Sequence, residues 1–419
     1  MCIFPIMPGA IEVRVAHISY QYGFGNVGGA AVAASRLHDA LLEKGVESFY
    51  ICVRQTSAGR NVIQLPRNGF LRFSHKFLID ALRRIWKITP YRKSIALNVI
   101  PLFGLRRLLK RLNPDVVHVH WINDCVMSFG QLAKIDYPAI INLHDFYMIN
   151  AIDPHPGQDK RYEIGFNKSN SDLISRYVFA RKGEAIRRLN PIFVAPSKWG
   201  AYIACNSYLA HEYRCFAVSN IVRDEFFLLP FEYREKKKFH VLFVANAGIN
   251  NPYKGYSDLV HSLELVPAEI KKQMVLIIVG DAEGPSSVSG IETKHAGKVS
   301  DIKNLVELYD SADCFAFPSL YETQGLVKVE ALLRGCPVVC FNRSACPENV
   351  ISEVNGWVAP DGDFKAFSRG LSYWFSCWAT GTIWDKRRSI SQMAREVYSK
   401  ERILDEILFV YEHAKRGVK

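Results

Sequence analysis

Two carboxylates, Glu322 and Glu330, flank Gly325 in the stretch DCFAFPSLYETQGLVKVEALLRGCPVVCF, Asp313 to Phe341. A glycine at the start of a helix lets a ligand approach the backbone. The helix N-terminus adds unpaired N–H groups and the positive end of a dipole, which suits phosphate. Glu330, one turn further in, accepts hydrogen bonds from hydroxyls, and this combination describes a site for a sugar nucleotide. Lys254, immediately before Gly255, supplies a flexible ammonium, a point charge suited to a diphosphate. Elsewhere His144 and Asp145 follow an apolar run, and His118 and His120 stand two apart. Gly23, Gly25 and Gly28 spell G-x-G-x-x-G.

The elements that position these groups follow from pattern. DCFAFPS is short, apolar and aromatic-rich, a buried strand closed by Pro318. GLVKVEALLRG is a helix with Val327, Ala331 and Leu332 on one side and Gly335 as its stop; CPVVCF is a second strand. Strand, helix and strand in so few residues make a parallel crossover, with the two glutamates at its switch from strand to helix. In the first half, VRVAHISY is a strand feeding a glycine-rich loop and a helix that stops at Gly45. PDVVHVHW and AIINLHDFYMIN carry two further strands. Ligands bind beyond the carboxyl ends of parallel strands, which places His144 and Asp145 well. Two readings of the glycine loop stay open: a dinucleotide site, with Arg54 facing an NADP phosphate, or a loop serving another ligand. H-x-H puts His118 and His120 on one face of a strand, but no third metal ligand is in evidence, and no metal is expected. Asp361 and Asp363, beside Pro360 and Gly362, read as a turn.

E-x7-E, between a strand ending in P-S and a helix ending in G-x-P-V-V, resembles the signature of glycosyltransferase family 4, retaining enzymes of GT-B fold. The landmarks run from about Gly28 to Gly356. The resemblance implies an α/β chain of two Rossmann-like, doubly wound domains facing across a cleft. Residues 1–222 would form the acceptor domain and 223–395 the donor domain, with 396–419 a helix returning to the first. It implies catalytic roles for His144, in L-H-D, for Lys254 at the leaving diphosphate, and for Glu322 at a hydroxyl of the donor sugar. It places donor contacts at Gly28 and Gly29 (the G-G-A loop), at Gly297 and Lys298 near the base, at the amides of Gly325, Leu326 and Val327, and at Glu330 on the ribose. Metal is not required, and the donor is a UDP- or GDP-linked sugar. The chain departs from the pattern in three places. Ala247, Gly248 and Ile249 stand where an Arg precedes Lys254, Gln324 stands where Phe is common, and Ser219-Asn220 replaces Pro-Asn. A sugar-nucleotide-binding protein without transfer activity is the rival that the first two departures motivate. The polar stretch from Ala151 to Ser175 is an acceptor lid or an ordinary surface loop.

At 419 residues, two domains are the expectation, and 49% hydrophobic with 22% charged residues fits a soluble globular class. No run of eighteen apolar residues exists, and the first residues lack the basic start of a signal peptide. The ten cysteines form no C-x-x-C pair and read as reduced thiols, so a cytoplasmic setting is expected. The net charge of +12 is concentrated. Arg67, Arg72, Lys76, Arg83, Arg84, Lys87, Arg92, Lys93, Arg106, Arg107, Lys110 and Arg111 face one acid, Asp80, with Phe70, Phe73, Phe77, Trp86, Leu102, Phe103 and Leu105 among them. An anionic bilayer attracts such a stretch, which points to peripheral attachment at the inner leaflet and to a glycan or lipid-linked acceptor. A pair of surface helices with solvated charges is the alternative; no nucleic-acid motif accompanies them.

Overall fold

The computed structural model describes residues 12–24, 28–66, 98–122, 126–155, 160–228, 236–245, 248–280 and 284–417. Gly25 and the basic residues from Arg67 to Lys93 lie outside them. By its internal contacts the chain divides into two units, Met1–Ile221 with Ile403–Lys419, and Val222–Arg402.

The first unit is built on a seven-stranded sheet of β1 (Arg14–Ile18), β2 (Glu47–Cys52), β3 (Val62–Gln64), β4 (Val116–Val119), β5 (Ala139–Asn142), β6 (Ile192–Ala195) and β7 (Cys215–Ala217). Their order is β3-β2-β1-β4-β5-β6-β7, with every pairing parallel. The central strands β4 and β5 are buried at every position, as expected of a sheet covered on both faces. Chain order reverses between β1 and β4, and that reversal opens a crevice at the carboxyl ends of the two strands. The glycine loop leaves β1 here and leads into α1 (Gly29–Glu43), whose Ala31, Ala34, His38 and Leu41 turn inward at helical spacing. The helix α2 (Leu105–Leu112) buries Leu105, Leu108 and Leu109 and leaves Arg106, Arg107, Lys110 and Arg111 exposed. Leu102 and Leu105, counted above among the apolar groups of the basic stretch, are therefore core residues; Phe103 is the exposed one.

The second unit repeats the plan. Its strands are β8 (Phe239–Val244), β9 (Met274–Val279), β10 (Ser287–Val288), β11 (Ile291–Gly297), β12 (Cys314–Phe317), β13 (Val338–Phe341) and β14 (Gly356–Ala359). The order is β10-β11-β9-β8-β12-β13-β14, parallel except for the short edge pair β10 and β11. The expected crossover is present as β12, α7 and β13, once helices are numbered α3 (Leu173–Leu189), α4 (Lys198–Cys205), α5 (Tyr256–Glu264), α6 (Ile302–Ser311), α7 (Leu326–Leu333), α8 (Phe364–Ala379), α9 (Ile383–Tyr398) and α10 (Lys400–Arg416). Here the order reverses between β8 and β12. The last helix, α10, carries the chain back to the first unit, burying Ile403, Leu404, Ile407, Leu408 and Tyr411 among Val15, Val116, Ile140 and Val194.

Candidate active site

At the switch point of the second sheet, two residues 68 apart in sequence meet: Lys254 Nζ lies 2.6 Å from Glu322 Oε1. Two glycines bring them together. Gly255 has φ +70°, and a Cβ there would stand 2.0 Å from the Pro318 carbonyl oxygen, so the turn after β8 lies against the end of β12. Gly325, at φ +78°, precedes α7 and packs so closely on Phe317 that a Cβ would stand 2.6 Å from the ring. Only glycine accepts both the left-handed backbone and the lack of space.

Glu322 is held further by groups that the sequence did not single out. Ser319 Oγ donates to the same Oε1 at 3.0 Å, and the Glu322 N–H donates to Ser344 Oγ at 3.0 Å. The loop carrying Ser344 is fastened by Lys328 on α7, a buried ammonium that donates to the carbonyls of Ala345, Cys346 and Glu348. Arg343 ties that loop to Asp258 on α5 at 2.5 Å and also to Asp361. Asp363 caps α8 by accepting from the Ala366 N–H, so both carboxylates of the D-x-D turn have protein partners. A charged residue inside an apolar helix, Lys328 in LVKVEALL, was the legible signal for the first anchor.

The side chain of Lys254 is 22% exposed and that of Glu322 13%, so removing either leaves a partly buried charge without its partner. Glu330 is 6% exposed, and its Oε2 accepts from Tyr309 Oη at 3.1 Å; burial first, then Glu330, pushes that phenol up. Leu326 and Val327 open α7 and are half-buried. Gly297 and Lys298 stand at the end of β11, on the same carboxyl edge but two strands from β8.

The switch point of the first sheet is furnished differently. Gly28 caps α1 and Gly29 begins it, and a Cβ at either would meet no atom within 4 Å, so packing does not demand glycine there. His17 on β1 sits in register with His118 on β4. His17 Nδ1 lies 2.9 Å from His120 Nε2, and His120 Nδ1 lies 2.9 Å from His144 Nε2. Asn142 Nδ2 approaches the same His144 nitrogen at 3.2 Å. His118 Nδ1 meets the Tyr411 hydroxyl of α10 at 2.9 Å. The expectation that His118 and His120 lacked a third neighbour of metal-binding type is thus corrected: His17 brings three ring nitrogens within 4.8 Å of one another. Both nitrogens of His120 are, however, engaged in the chain of hydrogen bonds. Burial pushes the imidazole of His144 down to about 4 and that of His118 to about 3, and it lowers His17 and His120 as well, so the rings are neutral at pH 7. Asp145 accepts from Trp121 Nε1 at 2.9 Å and from the Tyr147 N–H at 3.0 Å.

Comparison with known proteins agrees with both halves. Residues 27–225 match the family described as Glycosyltransferase Family 4, and residues 228–397 that described as Glycosyl transferases group 1. The chain is 25% identical over 318 residues to MMP alpha-(1->4)-mannosyltransferase of Mycolicibacterium hassiacum, covering 72% of this chain and 71% of the relative. It is 28% identical over 244 residues to O-antigen chain mannosyltransferase B of Escherichia coli, covering 55% and 59%. Among solved structures, sucrose-phosphate synthase of Thermosynechococcus elongatus superposes with a TM-score of 0.65 at 15% identity, over 97% of this chain and 100% of that one, a likeness of fold. These matches set aside the dinucleotide reading of Gly23, Gly25 and Gly28. With two parallel-sheet Rossmann-like units and both family matches in place, the chain belongs to glycosyltransferase family 4 and is a glycosyltransferase of GT-B fold.

Proposed function

We propose that the chain transfers a hexose from a nucleotide sugar to a lipid-linked glycan acceptor, with retention of configuration and without a metal, in assembly of a bacterial surface polysaccharide. The observation that carries this is the Lys254–Glu322 pair beside the N-terminus of α7, at the second sheet's switch point. The bond from the sugar's anomeric carbon to the diphosphate breaks, and negative charge grows on the departing oxygen. A diphosphate entering there takes the Lys254 ammonium and the amides at Gly325, Leu326 and Val327. Glu322, still held by Ser319, turns to a hydroxyl of the sugar. Glu330 holds the ribose, and Gly297 with Lys298 borders the base.

The acceptor hydroxyl forms its bond to the anomeric carbon on the face the diphosphate leaves, and its proton passes to a departing phosphate oxygen. His144, with Gly28 and Gly29, positions the sugar or acceptor. The two mannosyltransferase relatives support a hexose as the transferred group. The basic face of α2 supports attachment to an anionic membrane from the cytoplasmic side, although among the described residues no helix is long and apolar enough to cross one. Transfer from labelled UDP- and GDP-sugars to membrane extracts, with chelator present, tests the whole reading. Donor binding without product would favour the non-transferring rival, and loss of activity in chelator, restored by magnesium or manganese, would overturn the metal-free mechanism.

A further inference from the structure

Ser344 holds a backbone conformation that its own side chain makes costly. Its φ is +47°, the left-handed region that glycine enters freely and other L-residues enter at a penalty. The residue sits in the loop after β13, beside the turn after β12 that carries Glu322. Strain of this kind persists only where surrounding contacts impose it, and such contacts are present. Lys328, 1% exposed on α7, donates its ammonium hydrogens to the carbonyls of Ala345, Cys346 and Glu348 and fixes the loop from behind. The Ala345 N–H donates to the Glu322 carbonyl at 3.3 Å. Glycine would take the same backbone without penalty, so the turn alone does not call for a serine.

The hydroxyl closes a ring of hydrogen bonds around Glu322. The Cys346 thiol donates to the Ser319 carbonyl at 3.5 Å, and burial pushes that thiol up to about 12, so it keeps its hydrogen. With that hydrogen committed, the sulfur is the acceptor at its 3.7 Å contact with Ser344 Oγ. The lone pairs of Ser344 Oγ are left for the Glu322 N–H, 3.0 Å away. Ser319 Oγ completes the ring by donating to Glu322 Oε1 at 3.0 Å. One circuit therefore holds both the peptide nitrogen and the carboxylate of Glu322.

We propose that Ser344 is a positioning residue for Glu322: its hydroxyl, kept at a backbone position suited to glycine, sets the direction of the carboxylate that meets Lys254 and the sugar. The functional part rests on the transfer reading, in which Glu322 faces a hydroxyl of the donor sugar. Stability and turnover are then set by different atoms of one residue. The Cβ carries the strain, and the Oγ carries the positioning.

Two variants separate those atoms. Ser344→Ala loses the oxygen and keeps the strained Cβ, whereas Ser344→Gly loses both. The glycine variant should melt about 2–4 °C above the alanine variant. Both should show kcat about tenfold below wild type with donor KM within about twofold, because the α7 amides and Glu330 are untouched. Hydrogen exchange on the full chain reads the ring without turnover: the Glu322 N–H should exchange about tenfold faster in both variants than in the wild type. Recovery of kcat in Ser344→Gly along with stability overturns the proposal, since the serine then acts on the fold alone. Equal melting of the two variants, unchanged kcat in either, or unchanged Glu322 exchange overturns it as well. A wild type that shows the exchange difference yet turns over no donor leaves the ring standing and sinks the transferase reading alone.

Discussion

At the second sheet's switch point Lys254 and Glu322 meet as a partly exposed ion pair; beside the first sheet's, His17, His120 and His144 meet as a buried chain of neutral rings. Both sheets reverse their strand order in the same way, so the backbone presents the same crevice twice. The side chains decide what each crevice can do. A charged pair with some solvent access can exchange one partner for a charged ligand, since the new Coulomb energy replaces the old. A neutral chain has no charge to give and instead fixes where a hydrogen sits. One plan therefore holds a charged pair in one unit and a hydrogen-bonded chain of neutral rings in the other.

The largest expected difference between the units is in acid. Burial lowers the imidazoles of His17, His38, His118, His120 and His144, all in the first unit, with His38 and His144 at about 4. Unfolded histidine takes its proton near 6.5, so below that pH the unfolded chain binds more protons than the folded one. The stability these neutral rings provide is complete above 6.5 and is lost as pH falls from 6.5 toward their folded values. By pH 5.5 each costs about 1 kcal/mol, several in sum. Asp39 and Asp145, raised chiefly by burial, work in the opposite direction. Calorimetry at pH 7.5 and 5.5 should show the first unit's transition falling while the second's moves less; equal shifts would break the comparison.

Next in size is Lys254→Ala. Removing the ammonium from the departing diphosphate should lower kcat about 10² to 10³-fold. The variant should also be less stable, because Glu322 keeps its 13% exposure and loses its cation. Lys254→Ala/Glu322→Gln should recover stability but not turnover. If both recover, the pair is structural and the contrast with the histidine chain disappears.

How much of this the sequence disclosed depends on the separation of the residues involved. Glu322, Gly325 and Glu330 are spaced locally, so one crossover announced them, and the structure keeps them on the expected strand-to-helix turn. The Lys254–Glu322 contact spans 68 residues and became visible only once β8 and β12 were neighbours. The His17–His120 contact spans 103, and His17 in VRVAHISY looked like any polar residue on a strand. A signal did exist: parallel strands in Rossmann order place β1 beside β4, which makes His17 and His118 neighbours if the register is guessed. Leu102 and Leu105 misled because leucines beside arginines read alike on a membrane face and on a core face.

A smaller effect is expected at Glu330. Glu330→Gln keeps the shape and the Tyr309 contact but weakens charge-assisted hydrogen bonds to ribose hydroxyls, and donor affinity should fall by about 1–2 kcal/mol. Because Glu330 is buried, a folded variant must be confirmed first, and calorimetric titration with donor then decides. Unchanged affinity would move the nucleotide away from α7 and leave the ion pair as the sole mark of the site.

The smallest effect per residue belongs to a surface of neither kind. Arg106, Arg107, Lys110 and Arg111 stand exposed on α2, while Leu105, Leu108 and Leu109 anchor that helix to the first unit. Their charge is thus displayed on a fixed scaffold with its apolar side already used, so the proposed attachment of α2 to a membrane would be electrostatic and not by insertion. Each such charge near an anionic bilayer contributes up to about 1 kcal/mol and is screened within roughly 8–10 Å at moderate salt. Arg106→Gln/Arg107→Gln should therefore weaken flotation with anionic vesicles by about tenfold or somewhat more at low salt, with little change at high salt. Transfer to a water-soluble acceptor should be untouched, since neither switch point includes these residues. Equal binding to neutral and anionic vesicles, or none to either, would leave α2 as an ordinary solvated helix and the acceptor free of any tie to a membrane.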